Sequence, residues 1–318
     1  MSNQTHPYHL VNPSPWPALA SLALFCSTLG GAMFMHQKPG GLLLLIVGVF
    51  FVLYTMYVWW RDVVHEARVD HAHTPAVSRG LRAGMALFIT SEVLFFAAFF
   101  WAFFSSSTLP KLPLGDVWAM GEGVWPPKGI RTFDPFHLPF LNTLILLLSG
   151  TTVTWAHYCI VNNNRRDTIR ALWYTVILGV LFTCCQVYEY THAAFGFKDG
   201  IYASTFFMAT GFHGFHVIVG TIFLAVCLAR SYKDQFTPKQ HLGFEFAAWY
   251  WHFVDVVWLF LFLFVYCDFA NVLMPAFTAV FTGTNILIVF GLSLVAAGFV
   301  AVRVLAKGGQ GILPKVAH

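Results

Sequence analysis

Glu92 is the only charged residue in the run LFITSEVLFFAAFFWAFF, Leu87–Phe104, and its nearest charged neighbours are Arg82 and Lys111. Other acids and histidines recur in equally apolar company. TGFHGFH sets His213 and His216 three residues apart, flanked by Gly211 and Gly214. HLGFEFAAWYWHFVDVVWLFLF puts His252 seven residues after Glu245 and Asp255 three after His252, spacings that share a helix face. YEYTH brings Glu189 close to His192. Carboxylates and imidazoles in such surroundings can share a proton, hold a metal, or tie helices together by hydrogen bonds.

The elements that carry these groups are membrane helices. The 318 residues are 58% hydrophobic and 10% charged, where soluble domains carry about 25% charged residues. Eight apolar runs are long enough to cross ~30 Å of hydrocarbon: about 16–36, 40–60, 82–106, 138–160, 171–193, 201–229, 241–266 and 282–304. They must be helical, because lipid offers no partner for a free backbone N–H or C=O. QKPGG, NNNRRD, FKDG and SYKDQFTPKQ separate them, and 107–137 forms a longer Pro- and Gly-containing loop. The first 17 residues lack Lys and Arg, which argues against a cleavable leader. With eight spans, Arg61, Arg68, Arg79, Arg82, Arg165, Arg166, Arg170, Arg230, Lys233, Lys239, Arg303, Lys307 and Lys315 fall on one side. Only Lys38, Lys111, Lys128, Arg131 and Lys198 fall on the other, so the N-terminus is expected on the cytoplasmic or matrix side.

Ten residues past Arg82, Glu92 is expected about 15 Å into the bilayer. A bare carboxylate there either takes up a proton or finds a buried partner, and an intramembrane acid marks a functional site or a hydrogen-bonded helix contact. Histidine pairs three apart suit a metal site, but the acids are present in matching number, so interhelical hydrogen bonding is favoured over a metal. The six cysteines form no CxxC pair and read as small hydrophobes. No HExxH, CxxCH or phosphate-binding glycine loop occurs, so no redox cofactor is expected in this chain. YVWWRDVVHEARVDHAHTPAVSRGLR, 57–82, brings Trp, Arg and His to headgroup depth, as an ordinary interfacial anchor or a phospholipid phosphate site.

HPYHLVNPSPWP, YTMYVWWRDV, HTPAVSRGLRAGMALFITSEVLFFAAFFWAFF, WPPKGI, STFFMATGFHGFHVIVGTIFL and GFEFAAWYWHFVDVVWLFLF together resemble cytochrome c oxidase subunit III over roughly residues 5–267. The resemblance implies an all-α polytopic fold of seven helices, with helices 1–2 and 3–7 in two bundles around a V-shaped, lipid-filled cleft. To this the chain adds an eighth helix. The expected parts are 1–70 (tail and two-helix bundle), 71–270 (five-helix bundle) and 271–318 (extension with the eighth helix). The implied role is a non-catalytic subunit of a proton-pumping oxidase, packed on subunit I with subunit II in the same complex. Haem and copper would sit in those partners, bound phospholipids in this chain, and no nucleic acid is expected; membership of a respiratory supercomplex stays open.

In the same resemblance Glu92 matches the buried, carbodiimide-reactive acid. Trp60, Glu66, His73, Arg82 and Arg230 match the lipid headgroup contacts, and His65 stands where one family contact is Arg. Glu189, His213, His216, Glu245, His252 and Asp255 are expected to form an intramembrane polar network, with His213 or Glu245 as the neighbour of Glu92. Two features depart from the family: an insertion around GDVWAMGEGVW and about 50 residues beyond FVYCDFAN. Alternatives are the related subunit of a quinol oxidase or nitric oxide reductase, and a stand-alone proton channel or transporter. The extra helix leans the membrane toward a bacterial inner membrane over a mitochondrial one.

Overall fold

Seven long helices make up the described part of the chain, and no strand occurs among the described residues. The structure, a computed structural model, describes residues 8–9, 13–108, 125–127 and 129–267. The eighth apolar run, the segment 271–318 and most of the GDVWAMGEGVW loop lie outside them. The helices are α1 Trp16–Met35, α2 Gly41–Arg68, α3 Pro75–Thr108, α4 Leu138–Val161, α5 Arg165–Thr191, α6 Ile201–Tyr232 and α7 Leu242–Phe260. A π-helical turn, Leu261–Tyr266, continues α7. All seven are long and apolar enough to cross a membrane.

The second and third helices differ from the hydropathy reading. α2 runs on to Arg68 and α3 begins at Pro75, where the apolar runs stop near 60 and start near 82. A helix already satisfies its own backbone, so it continues past the hydrocarbon edge through RDVVHEAR without needing apolar side chains. The fifth helix also starts early, at Arg165, because the Asn164 side chain accepts a hydrogen bond from the Asp167 N–H at 3.2 Å and caps it.

Two compact units divide between Arg82 and Ala83, within α3, where the sequence reading put the division after residue 70. In the first unit, α1 and α2 form an antiparallel hairpin. The turn between them places Gln37 and Gly40 at φ 54° and 81°, and glycine suits the second of these. Small residues set the helix spacing. A Cβ on Gly30 would run into the Leu44–Leu45 backbone of α2, and one on Gly48 would meet Ser27 of α1 at 2.5–2.8 Å. Gly31, one residue on, faces only a Leu45 methyl at 3.9 Å. Gly30→Val is therefore expected to lower the amount of chain in membranes several-fold, and Gly31→Val to leave it near wild type, by quantitative immunoblot. Equal yields would sink this account of the hairpin.

In the second unit α7 is the central helix. Trp251 and Trp258 are fully buried, and their indole N–H groups donate to Ser149 Oγ and Thr143 Oγ1 of α4, both at 2.9 Å. α4 packs on α5, α5 on α6, and α6 and α4 on α7. α3 joins through aromatic contacts, among them Phe96 with Phe253 and Phe100 with Phe260. The described cysteines are all free.

Candidate functional site

α3 and α6 are each more than 30 residues long, and the site lies at the middle of both. Glu92 is 17 residues from Pro75 and 16 from Thr108; His216 is 15 from Ile201 and 16 from Tyr232. At 1.5 Å per residue both lie about 22–26 Å from either helix end. There Glu92 Oε2 meets His216 Nε2 at 2.9 Å. The partner of Glu92 is thus His216 and not the expected His213 or Glu245. His213 is turned instead into the core, between Phe182 and Trp258, with Nε2 3.2 Å from the Val254 carbonyl.

The hydrogen bonds of His216 fix how many protons the pair holds. Nδ1 lies 2.6 Å from the Phe212 carbonyl oxygen, which can only accept, so Nδ1 carries a hydrogen. One further proton must then lie between Nε2 and Glu92 Oε2. Either a carboxyl donates to a neutral imidazole, or an imidazolium donates to a carboxylate. Both arrangements have zero net charge, so the pair avoids the cost of an isolated ion at this depth. Phe95, Phe96, Tyr250 and Phe253 surround the imidazole, with ring centroids 5.0–6.4 Å away and Tyr250 stacked on it. The side chains of Glu92 and His216 are 21% and 9% accessible.

The other expected network members form separate groups rather than one chain with this pair. Glu189 accepts from Tyr266 Oη at 2.6 Å and from Gln186 Nε2 at 3.3 Å, and Asn142 donates to Gln186 Oε1 at 3.5 Å. Glu189 Oε2 and Asn142 Oδ1 are buried there without a hydrogen-bond partner. His192 turns away, to the Tyr188 carbonyl of its own helix. His252 and Asp255 face each other at 3.6 Å, and Asp255 lies tight against Gly150 of α4. The Thr154 hydroxyl donates to the Gly150 carbonyl, so it accepts from His252 Nε2 at 3.1 Å. Glu245 is part-buried one turn into α7. Gln186, Tyr266, Asn142 and Thr154 were not singled out by sequence. An amide or phenol inside an apolar run is the signal that could have found the first three.

At the interface, Trp60 is exposed, and Glu66 faces His9 at 3.4 Å. Trp16 Nε1 donates to Asp62 at 2.8 Å, so the N-terminal approach is tied to the end of α2. His73 is half-buried; burial draws its imidazole below the ordinary histidine range, nearby His9 acts the same way, and Glu66 opposes them. His65 is exposed, 3.6 Å from Asp70. Arg82 is half-buried in this unit. In the other unit the Arg230 guanidinium donates to Gln235 at 3.1 Å and lies 4.5 Å over the Phe236 ring. Among the described residues no three His, Cys, Asp or Glu side chains converge on one point.

The protein family described as cytochrome c oxidase subunit III matches residues 6–269. A probable cytochrome c oxidase subunit 3 of Rickettsia bellii is 58% identical over 267 residues, covering 83% of this chain and 96% of that protein. The cytochrome c oxidase subunit 3 of Prototheca wickerhamii is 58% identical over 82% of this chain and 97% of its own length. For that of Triticum aestivum the figures are 56%, 84% and 98%. A match that takes in all seven helices, the Glu92–His216 pair and the interfacial Trp60–Arg82 stretch leaves one reading: this multi-pass membrane chain belongs to the cytochrome c oxidase subunit III family.

Proposed function

We propose that the chain is a non-catalytic core subunit of a proton-pumping cytochrome c oxidase, in which it stabilises subunit I and supports proton uptake there. The carrying observation is the match to subunit III across every described helix. Haem and copper belong, in this reading, to subunits I and II. The curated relatives named above are called cytochrome c oxidase subunits, which favours cytochrome c over quinol as the electron donor.

The zero-charge Glu92–His216 pair supports a structural role at mid-membrane and leaves one shared proton available to move within it. At the interface, Trp60, Glu66, His73 and Arg82 are proposed to hold a phospholipid headgroup, and Arg230 another. Neutral His73 would serve as a hydrogen-bond donor, and a bound phosphate would favour its charged form. The excess of Lys and Arg on one side supports a cytoplasmic or matrix N-terminus.

Purification from native membranes in mild detergent, through a tag on this chain, tests the reading. The expected preparation shows haem absorbance and oxidises reduced cytochrome c. Oxidation of quinol alone, or recovery of the chain free of any haem-containing partner, would overturn it.

A further inference from the structure

We propose that the end of the second unit where α4 begins and α5 and the π-helical turn finish encloses a proton-holding site separate from the Glu92–His216 pair. In it Glu189 carries a hydrogen on Oε2 and donates it to one bound water, which in turn donates to Asn142 Oδ1. Asn142 is fully buried, Glu189 is 3% exposed, and Gln186 and Tyr266 are 5% exposed. At 1.5 Å per residue Asn142 lies about 6 Å from the start of α4 and Glu189 about 3 Å from the end of α5. The π-helical turn serves the same site. Such turns are uncommon and often mark functional positions; this one ends on Tyr266 and delivers its phenol to Glu189.

The hydrogen bonds of the cluster run one way. Tyr266 Oη donates to Glu189 Oε1 at 2.6 Å. Gln186 Nε2 lies 3.3 Å from the same carboxyl oxygen and 3.4 Å from Tyr266 Oη. Both of those oxygens accept from Gln186, so its amide turns the nitrogen toward them and the oxygen toward Asn142. Asn142 must then present its own nitrogen to that oxygen, at 3.5 Å. Two oxygens are left at the ends of the chain, Asn142 Oδ1 and Glu189 Oε2, buried and without a partner. A buried polar atom in that state is rare and costly. Two of them, joined through one amide, mark a place where a small molecule supplies the missing hydrogen bonds.

Charge decides which molecule. Glu92 has an imidazole opposite it, whereas among the described residues no Lys, Arg or His pairs with Glu189. A lone carboxylate so enclosed is expensive, and the neutral carboxyl fits the surroundings. Its hydrogen, on Oε2, needs an acceptor, and Asn142 Oδ1 needs a donor, yet the two atoms do not touch. One water meets both needs, accepting from Glu189 and donating to Asn142, and the cluster stays at zero charge. Gln186, bonded to both side chains, keeps the two oxygens near each other.

Infrared difference spectroscopy of the purified complex, wild type minus Glu189→Gln, tests the site. Glutamine still accepts from Tyr266, so the variant should keep the shape of the cluster. The expected spectrum contains one carboxylic C=O stretch that the variant loses and that moves to lower frequency in D2O. Asn142→Leu should keep this band and raise its frequency, because the water loses its anchor. Loss of carboxylate bands in place of the carboxylic one, as an oxygen-seeking cation such as Na+ between the two oxygens would give, overturns the proposal. So does an Asn142→Leu band at the wild-type frequency. A second measurement needs no variant: a cryo-EM map of the wild-type complex at a resolution that shows waters. One water-sized peak is expected within hydrogen-bond distance of both Glu189 Oε2 and Asn142 Oδ1; no peak, or direct contact between the two oxygens, refutes the site.

Discussion

Trp251→Ala is expected to give the largest loss of stability of any single change in α7. The indole is fully buried and fills the space left by two glycines on neighbouring helices. A Cβ on Gly179 of α5 would meet the ring at 2.9 Å, and one on Gly220 of α6 at 2.8 Å. Its N–H donates to Ser149 of α4. One side chain thus joins four helices. Truncation leaves a cavity that rigid helices cannot close, at a cost on the order of 3 kcal/mol from lost contacts alone. In a membrane those contacts, rather than expulsion of water, drive helix association, so little else compensates. Trp251→Phe keeps most of the volume and loses the hydrogen bond. Ser149 still donates to the Leu146 carbonyl, so no buried donor is orphaned and the cost should stay near 1 kcal/mol. Thermal denaturation of the purified complex, followed by this chain's dissociation, reads the difference. Similar midpoints for the two variants would remove Trp251 as the central contact.

How the helices were legible, and how their rotations were not, follows from the same residues. Apolar length located all seven spans, because backbone satisfaction in lipid leaves no other structure. It misjudged the ends at 60 and 82, since a helix that has left the hydrocarbon no longer needs apolar side chains. The depth of Glu92 survives that error: expected about 15 Å into the bilayer, it stands at the middle of a helix that starts at Pro75. The rotation of α6 was not legible. His213 and His216 differ by three positions, about 60° round the helix, and α6 is apolar on every side. Only packing decides that His213 enters the core beside Trp258 while His216 reaches α3. The Glu189 cluster was hidden for a similar reason: Gln186 and Tyr266 come from different helices and meet only after folding.

Glu92→Gln and Glu92→Leu are expected to separate widely, and the hydrogen bonds of His216 say why. With Nδ1–H held by the Phe212 carbonyl, the neutral imidazole offers a lone pair at Nε2. The glutamine amide can donate to it and keep the pair at zero charge, so the fold should survive with a loss under about 1 kcal/mol. Leucine offers nothing. It leaves Nε2 unpaired among aromatic rings, at about 1–3 kcal/mol. Assembly should therefore fall roughly tenfold or more in Glu92→Leu and little in Glu92→Gln, measured as the fraction of chain that co-purifies with haem. The glutamine protein then separates structure from proton movement, because it keeps the hydrogen bond and lacks an exchangeable carboxyl proton. If its proton-to-electron ratio in vesicles equals wild type, the shared proton at Glu92 is structural. If the ratio falls while assembly is intact, the pair takes part in proton transfer. Should Glu92→Leu assemble as well as Glu92→Gln, the hydrogen bond at the centre of α3 and α6 does not hold those helices together.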